Sequence, residues 1–93
     1  MAIVMISDAG TDAVEQYDQI IKQLDEAGHG NPQGRLSHVA ALKDNGSYFV
    51  VDVWESPEAL DGFAQVLVPL MEAAGGVVQE FKISPLHNMI NGR

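Results

Sequence analysis

The stretch Arg35-Leu36-Ser37-His38-Val39-Ala40-Ala41-Leu42-Lys43-Asp44-Asn45-Gly46-Ser47-Tyr48-Phe49-Val50-Val51-Asp52-Val53-Trp54 reads as two β-strands joined by a tight turn. Arg35 to Lys43 and Ser47 to Trp54 are rich in apolar, β-branched and aromatic residues. Asn-Gly between two such runs is a strong hairpin signal, because both central residues of a type I′ turn need positive φ. With Asn45 and Gly46 in those places, Asp44 opposes Ser47, Leu42 opposes Phe49, Ala40 opposes Val51 and His38 opposes Val53. One face then carries Leu36, His38, Ala40, Leu42, Phe49, Val51 and Val53. The other carries Ser37, Val39, Ala41, Lys43, Tyr48, Val50, Asp52 and Trp54. This register predicts that His38 and Asp52 point to opposite faces and form no direct dyad. A slip of one residue would exchange every partner.

Ahead of the hairpin, Ala2 to Ile6 is a short apolar run that fits a buried strand. Val14, Tyr17, Ile21 and Leu24 then recur at helical spacing, with Thr11 or Asp12 available as a cap and Gly28 as the stop. Gly28 to Gly34 reads as a connecting loop. After the hairpin, Ser56-Pro57 starts a second helix, with Ser as N-cap and Pro at the first helical position. Leu60, Phe63, Ala64, Leu67, Met71 and Ala74 form its stripe. Pro69 predicts a kink or break near Val68, since it lacks an N–H and crowds the preceding turn. Gly75-Gly76 ends the helix, and Val77 to Ile83 reads as a last strand.

The order β-α-β-β-α-β is that of a ferredoxin-like α+β fold: a four-stranded antiparallel sheet with two helices on one face. The 93 residues make a single domain, 1–93. The hairpin is apolar on both faces, whereas a half-exposed antiparallel sheet alternates. The uncovered face calls for a second copy of the chain.

Five basic against thirteen acidic residues give a net charge of −8. That speaks against nucleic-acid and anionic-membrane partners, which select clustered Lys and Arg. The absence of cysteine excludes disulfides, thiolate metal sites and thiol catalysis. Neither a signal-peptide pattern nor an apolar run of membrane-spanning length is visible, so a cytoplasmic location is expected. No nucleotide-binding, nucleophile-elbow or metalloprotease motif occurs. The histidines 29, 38 and 87 show no metal-ligand spacing.

Val50-Val51-Asp52-Val53-Trp54-Glu55-Ser56-Pro57-Glu58-Ala59-Leu60, followed by Phe63, resembles the antibiotic-biosynthesis-monooxygenase-like branch of the dimeric α+β barrel superfamily. The shared pattern is an apolar strand, Trp, one residue, Ser, two residues, Ala, an aromatic or Leu, then another aromatic. The resemblance implies a homodimeric barrel with one small-molecule pocket per subunit between sheet and helices. It implies as activity a cofactor-independent monooxygenase acting on an aromatic, polyketide-type metabolite. A cyclase or isomerase working without oxygen, or a non-catalytic ligand-binding dimer, are the alternatives. Haem-degrading members carry a His near the end of the second helix and an Asn on the first strand. Leu60 to Ala74 holds no His and Ala2 to Ile6 no Asn, so haem is disfavoured and no cofactor is expected.

Two residues are candidate bases. His38 lies mid-strand among apolar residues, and an imidazole titrates near neutrality; it serves either as base or as a hydrogen-bonded core histidine. His87 lies in the apolar tail beside Asn88, where both would face a ligand if the tail folds over a pocket, or else dock on a partner subunit. Asp52, flanked by Val51 and Val53, needs a partner: a histidine, or Lys43, Lys82 or Arg35. Trp54, Phe63, Tyr17 and Tyr48 are candidates to line an aromatic pocket, with the Tyr17 hydroxyl as a phenolic donor. His29 reads as solvated.

Overall fold

The computed structural model describes residues 1–75 and 81–92. Six elements follow in order: β1 (Ile3–Asp8), α1 (Val14–Glu26), β2 (Arg35–Leu42), β3 (Tyr48–Trp54), α2 (Pro57–Ala73) and β4 (Phe81–Pro85). The four strands form one antiparallel sheet in the order β2-β3-β1-β4, the ferredoxin-like arrangement. Residues 77–80 of the expected last strand lie outside the described residues. No helix among the described residues is long and apolar enough to cross a membrane.

The hairpin turn differs from its expected form. Lys43 N–H bonds the Ser47 carbonyl (2.9 Å), and Gly46 N–H bonds the Lys43 carbonyl (3.1 Å). Three residues therefore span the turn: Asp44, Asn45 and Gly46. Only Gly46 has positive φ, at 83°. This is a type I turn followed by a left-handed glycine, the common three-residue hairpin loop. The Asn45 side chain accepts the Ser47 N–H at 3.0 Å, which holds the turn from inside. The register is thus Leu42↔Tyr48, Ala40↔Val50 and His38↔Asp52. Relative to the expected register it is slipped by one, so His38 and Asp52 share a face. With them lie Ala40, Leu42, Tyr48, Val50 and Trp54, while Val39, Ala41, Phe49, Val51 and Val53 take the other side.

A second irregularity lies at the start of β2. Arg35 opposes Trp54 and Ser37 opposes Val53, so Leu36 is an extra residue bulged out of the ladder. A bulge re-aims the side chains beside it. Here it places Arg35 on the same side as His38.

The helices cover the face that carries Ile3, Met5, Val50 and Trp54. These residues pack with Ile20, Leu24, Leu60, Phe63 and Met71 into the core. The N-terminus of α1 has Ala13 at the cap position and no side-chain cap, in place of the expected Thr11 or Asp12. Its first free N–H, on Val14, instead bonds the Gly46 carbonyl of the hairpin turn (3.2 Å). In α2, Ser56 caps as expected, its hydroxyl accepting the Ala59 N–H at 3.2 Å. The expected break near Val68 does not occur, and α2 runs on to Ala73. Pro69 and Gln65, four residues earlier, are both exposed. Water can therefore serve the Gln65 carbonyl that Pro69 leaves without a donor.

Candidate active site

Asp52 is the starting point, because a carboxylate only 4% exposed needs partners. Cross-strand pairing supplies one: His38 Nδ1 lies 2.6 Å from Asp52 Oδ1. The next residue on the same face of β3 supplies another: Trp54 Nε1–H donates to Asp52 Oδ2 at 3.2 Å. On the far side of the imidazole, Tyr17 of α1 brings its hydroxyl 2.7 Å from His38 Nε2. The Tyr17 and His38 rings are nearly parallel (8°), with centroids 6.0 Å apart. Tyr17, His38, Asp52 and Trp54 thus form one line of hydrogen bonds, drawn from α1, β2 and β3.

Proton positions along the line follow from its ends. The Asp52 carboxylate accepts only, so His38 Nδ1 carries a proton toward it. The neutral imidazole then presents Nε2 as acceptor, and the Tyr17 O–H donates to it. Burial is the main cause that raises the Tyr17 pKa above its ordinary value; Arg35 pulls the other way and Asp52 adds to the rise. The phenol therefore holds its proton at neutral pH. This is the logic of a carboxylate-oriented histidine, in which the carboxylate sets the tautomer and balances the charge when the imidazole takes a proton.

The line borders a cavity of about 70 Å³ between the sheet and the helices. Its walls are mainly apolar: Met5, Ile20, Leu24, Val50, Phe63 and Met71 among them. The polar residues of the lining are Ser7, Tyr17, Arg35, His38, Tyr48 and Asp52. Phe63 also lines a wider groove of about 490 Å³ beside α2 and the loop before β2. It therefore stands between chamber and groove.

The residues singled out in the sequence divide into three groups. Tyr17, His38, Asp52 and Phe63 meet at the cavity. Trp54 is fully buried behind it, 5.5 Å from the Phe63 ring, and acts on the cavity through Asp52. His87 and Asn88 are exposed on the tail, outside the cavity lining. His29 is exposed at the outer groove. The expectation that Asp52 and His38 diverge is corrected by the register: they are hydrogen-bonded. Lys43, one of the cations considered for Asp52, instead binds Asp8 (2.7 Å) and the Gly10 carbonyl (2.9 Å). Tyr48, expected among the aromatic lining, is also on the cavity wall; sequence reasoning missed Ser7, and considered Arg35 only as a partner for Asp52. Among the described residues no cluster of three His, Asp or Glu side chains is placed to hold a metal ion.

Comparison with known proteins bears on the fold. No family model and no curated protein matches the chain. Solved structures do. A protein of Chloroflexus aurantiacus assigned as an antibiotic biosynthesis monooxygenase superposes with a TM-score of 0.70 at 18% identity, covering 98% of each chain. A monooxygenase of Streptomyces coelicolor, solved in complex with nanaomycin D, gives 0.65 at 16% identity, over 99% of this chain and 93% of that one. SnoaB, a cofactor-independent oxygenase of Streptomyces nogalater, gives 0.60 at 16% identity, over 98% and 95%. Such identities speak for architecture, and one architecture hosts many reactions. The chain shares the ferredoxin-like α+β fold of these monooxygenase structures.

Proposed function

We propose that this chain is a small monooxygenase-like enzyme that oxidises an electron-rich aromatic of polyketide type. The observation that carries the reading is the Tyr17–His38–Asp52–Trp54 line of hydrogen bonds against an otherwise apolar cavity. The substrate, an anthrone or hydroquinone, supplies the carbon-centred reactivity. Tyr17 takes a proton from it while passing its own to His38 Nε2, and Asp52 stabilises the resulting imidazolium. The carbanion then reacts with molecular oxygen. For an anthrone methylene the sum is CH2 plus O2 giving C=O plus water, with one oxygen atom going to each product. The apolar walls keep the carbanion from being reprotonated by solvent. SnoaB, described as cofactor-independent, and the nanaomycin-bound monooxygenase share the fold and support this choice.

The chamber is smaller than the ~150 Å³ apolar cavity known to admit benzene. A polycyclic substrate would therefore insert one edge and extend past Phe63 into the groove. The same reading takes the chain as a homodimer. Ile6, Leu36 and Val39 are 45%, 53% and 54% exposed along the strands that carry the helix-free face, and a second copy would cover them.

Oxygen uptake with a panel of anthrones and hydroquinones tests the reaction. One equivalent of oxygen consumed per substrate is expected, at a rate that falls by about 10²–10⁴ in His38→Ala; the melting temperature also falls, because Asp52 loses a hydrogen-bond partner. A comparable loss in His87→Ala would move the base to the tail. Turnover without oxygen uptake would indicate a cyclase or isomerase. Tight binding without turnover would indicate a ligand-binding protein.

A further inference from the structure

We propose that Arg35 forms an anion subsite in the cavity, so that the ligand is an aromatic carrying an acidic oxygen, such as a carboxylate. The inference rests on the aromatic-substrate reading and narrows it. Arg35 and His38 are the basic side chains on the cavity wall, and His38 already faces Asp52. Arg35 makes no ion pair among the described residues, although the chain has an excess of carboxylates. Its Nη2 donates to the Gly30 carbonyl (3.0 Å), and the guanidinium lies 5.8 Å from the centre of the Phe63 ring. A guanidinium has five N–H donors in a fixed fork, so several remain for a planar oxyanion.

Local structure is committed to this placement. The bulge at Leu36 turns Arg35 onto the cavity side. The preceding Gly34 has a φ of 90°, and its carbonyl takes the Glu55 N–H at 2.8 Å. A side chain at Gly34 would come within 2.7 Å of the Ala59 Cβ. Anchored in this way, the guanidinium is pre-organised for a ligand. Its field already reaches Tyr17, where it opposes the burial that holds the proton on the phenol.

A matched pair of probes tests the assignment: 2-naphthoate and the neutral 2-naphthamide, titrated calorimetrically against wild type and Arg35→Gln. Glutamine keeps an N–H donor for the Gly30 carbonyl while removing the charge. Wild type is expected to bind naphthoate roughly tenfold to a hundredfold more tightly than naphthamide. Arg35→Gln is expected to lose that preference and keep its naphthamide affinity within about twofold. Arg35→Lys, with a point charge instead of a fork, should retain part of it. A preference that survives Arg35→Gln overturns the proposal, and so does wild type binding both probes equally or neither. Loss of both affinities in Arg35→Gln, with naphthamide weakened as much as naphthoate, would show Arg35 to be a loop anchor only and likewise overturns it. Failure of the monooxygenase reading looks different: oxygen uptake is absent while the naphthoate preference remains.

Discussion

Asp52→Asn isolates what the buried carboxylate does. An asparagine matches the volume and can still accept from Trp54 Nε1–H, but its NH2 would face His38 Nδ1. The imidazole would then shift to the other tautomer, with Nε2 protonated and no longer an acceptor for Tyr17. Turnover should fall by about 10³–10⁴, with the fold retained, as read by oxygen uptake beside far-ultraviolet circular dichroism. Activity near that of wild type would remove the line of hydrogen bonds from the mechanism. Tyr17 adds a prediction in pH. The folded chain holds the phenolic proton more tightly than the unfolded chain does. This contribution to stability is whole below the ordinary tyrosine value and is lost as pH rises through the higher folded value. Between about pH 9 and 11 the melting temperature of wild type should therefore fall more steeply than that of Tyr17→Phe. Parallel curves would mean that the hydroxyl is not held as described. Both His38 and Asp52 were identifiable in the sequence as polar residues in apolar strands. Their contact was not, because both faces of the hairpin are apolar and the alternation could not correct a turn misread by one residue.

Asn-Gly alone suggests a two-residue turn. Asp44-Asn45-Gly46 with glycine third also suits the three-residue loop, and the Asn45 side chain bonding Ser47 N–H favours it. Gly46 and Gly34 now separate two costs. At Gly46, φ is 83° and an added Cβ meets nothing within 4 Å, so Gly46→Ala carries backbone strain alone, about 1–2 kcal/mol. At Gly34 a φ of 90° is joined by the 2.7 Å approach to the Ala59 Cβ, and Gly34→Ala should cost roughly 2–5 kcal/mol. Urea unfolding with an unchanged slope measures both. Equal losses would mean that the loop before β2 yields as freely as the hairpin tip. The continuous α2 carries a related lesson: a helix-interior proline reads as a break, yet at an exposed position water takes the place of the missing donor.

For the molecule as a whole, element order and composition made the fold legible, and the comparisons with solved structures agree with it. The cavity was less so. It assembles residues from β1, α1, β2, β3 and α2, and one of them, Arg35, reaches it through a bulge that has no signature in the strand pattern. The uncovered face of the sheet was legible, since Phe49, Val51 and Val53 stay apolar on the side away from the helices. Its consequence can be tested through salt. Two copies joined through that face would bury apolar surface, an attraction that salt does not screen. Each copy also brings a net charge of −8, a repulsion that salt does screen, with a Debye length falling from about 30 Å at 0.01 M to about 10 Å at 0.1 M. Association should therefore strengthen as salt rises over that range. Sedimentation equilibrium should show a mass of twice 10.0 kDa, with a weaker dimer at the low end. Val39→Asp, at a site 54% exposed in the single chain, should shift the population to monomer without lowering the helical signal. A chain that stays monomeric at every salt concentration would leave the face bare. A dimer indifferent to Val39→Asp would place the contact elsewhere on the surface.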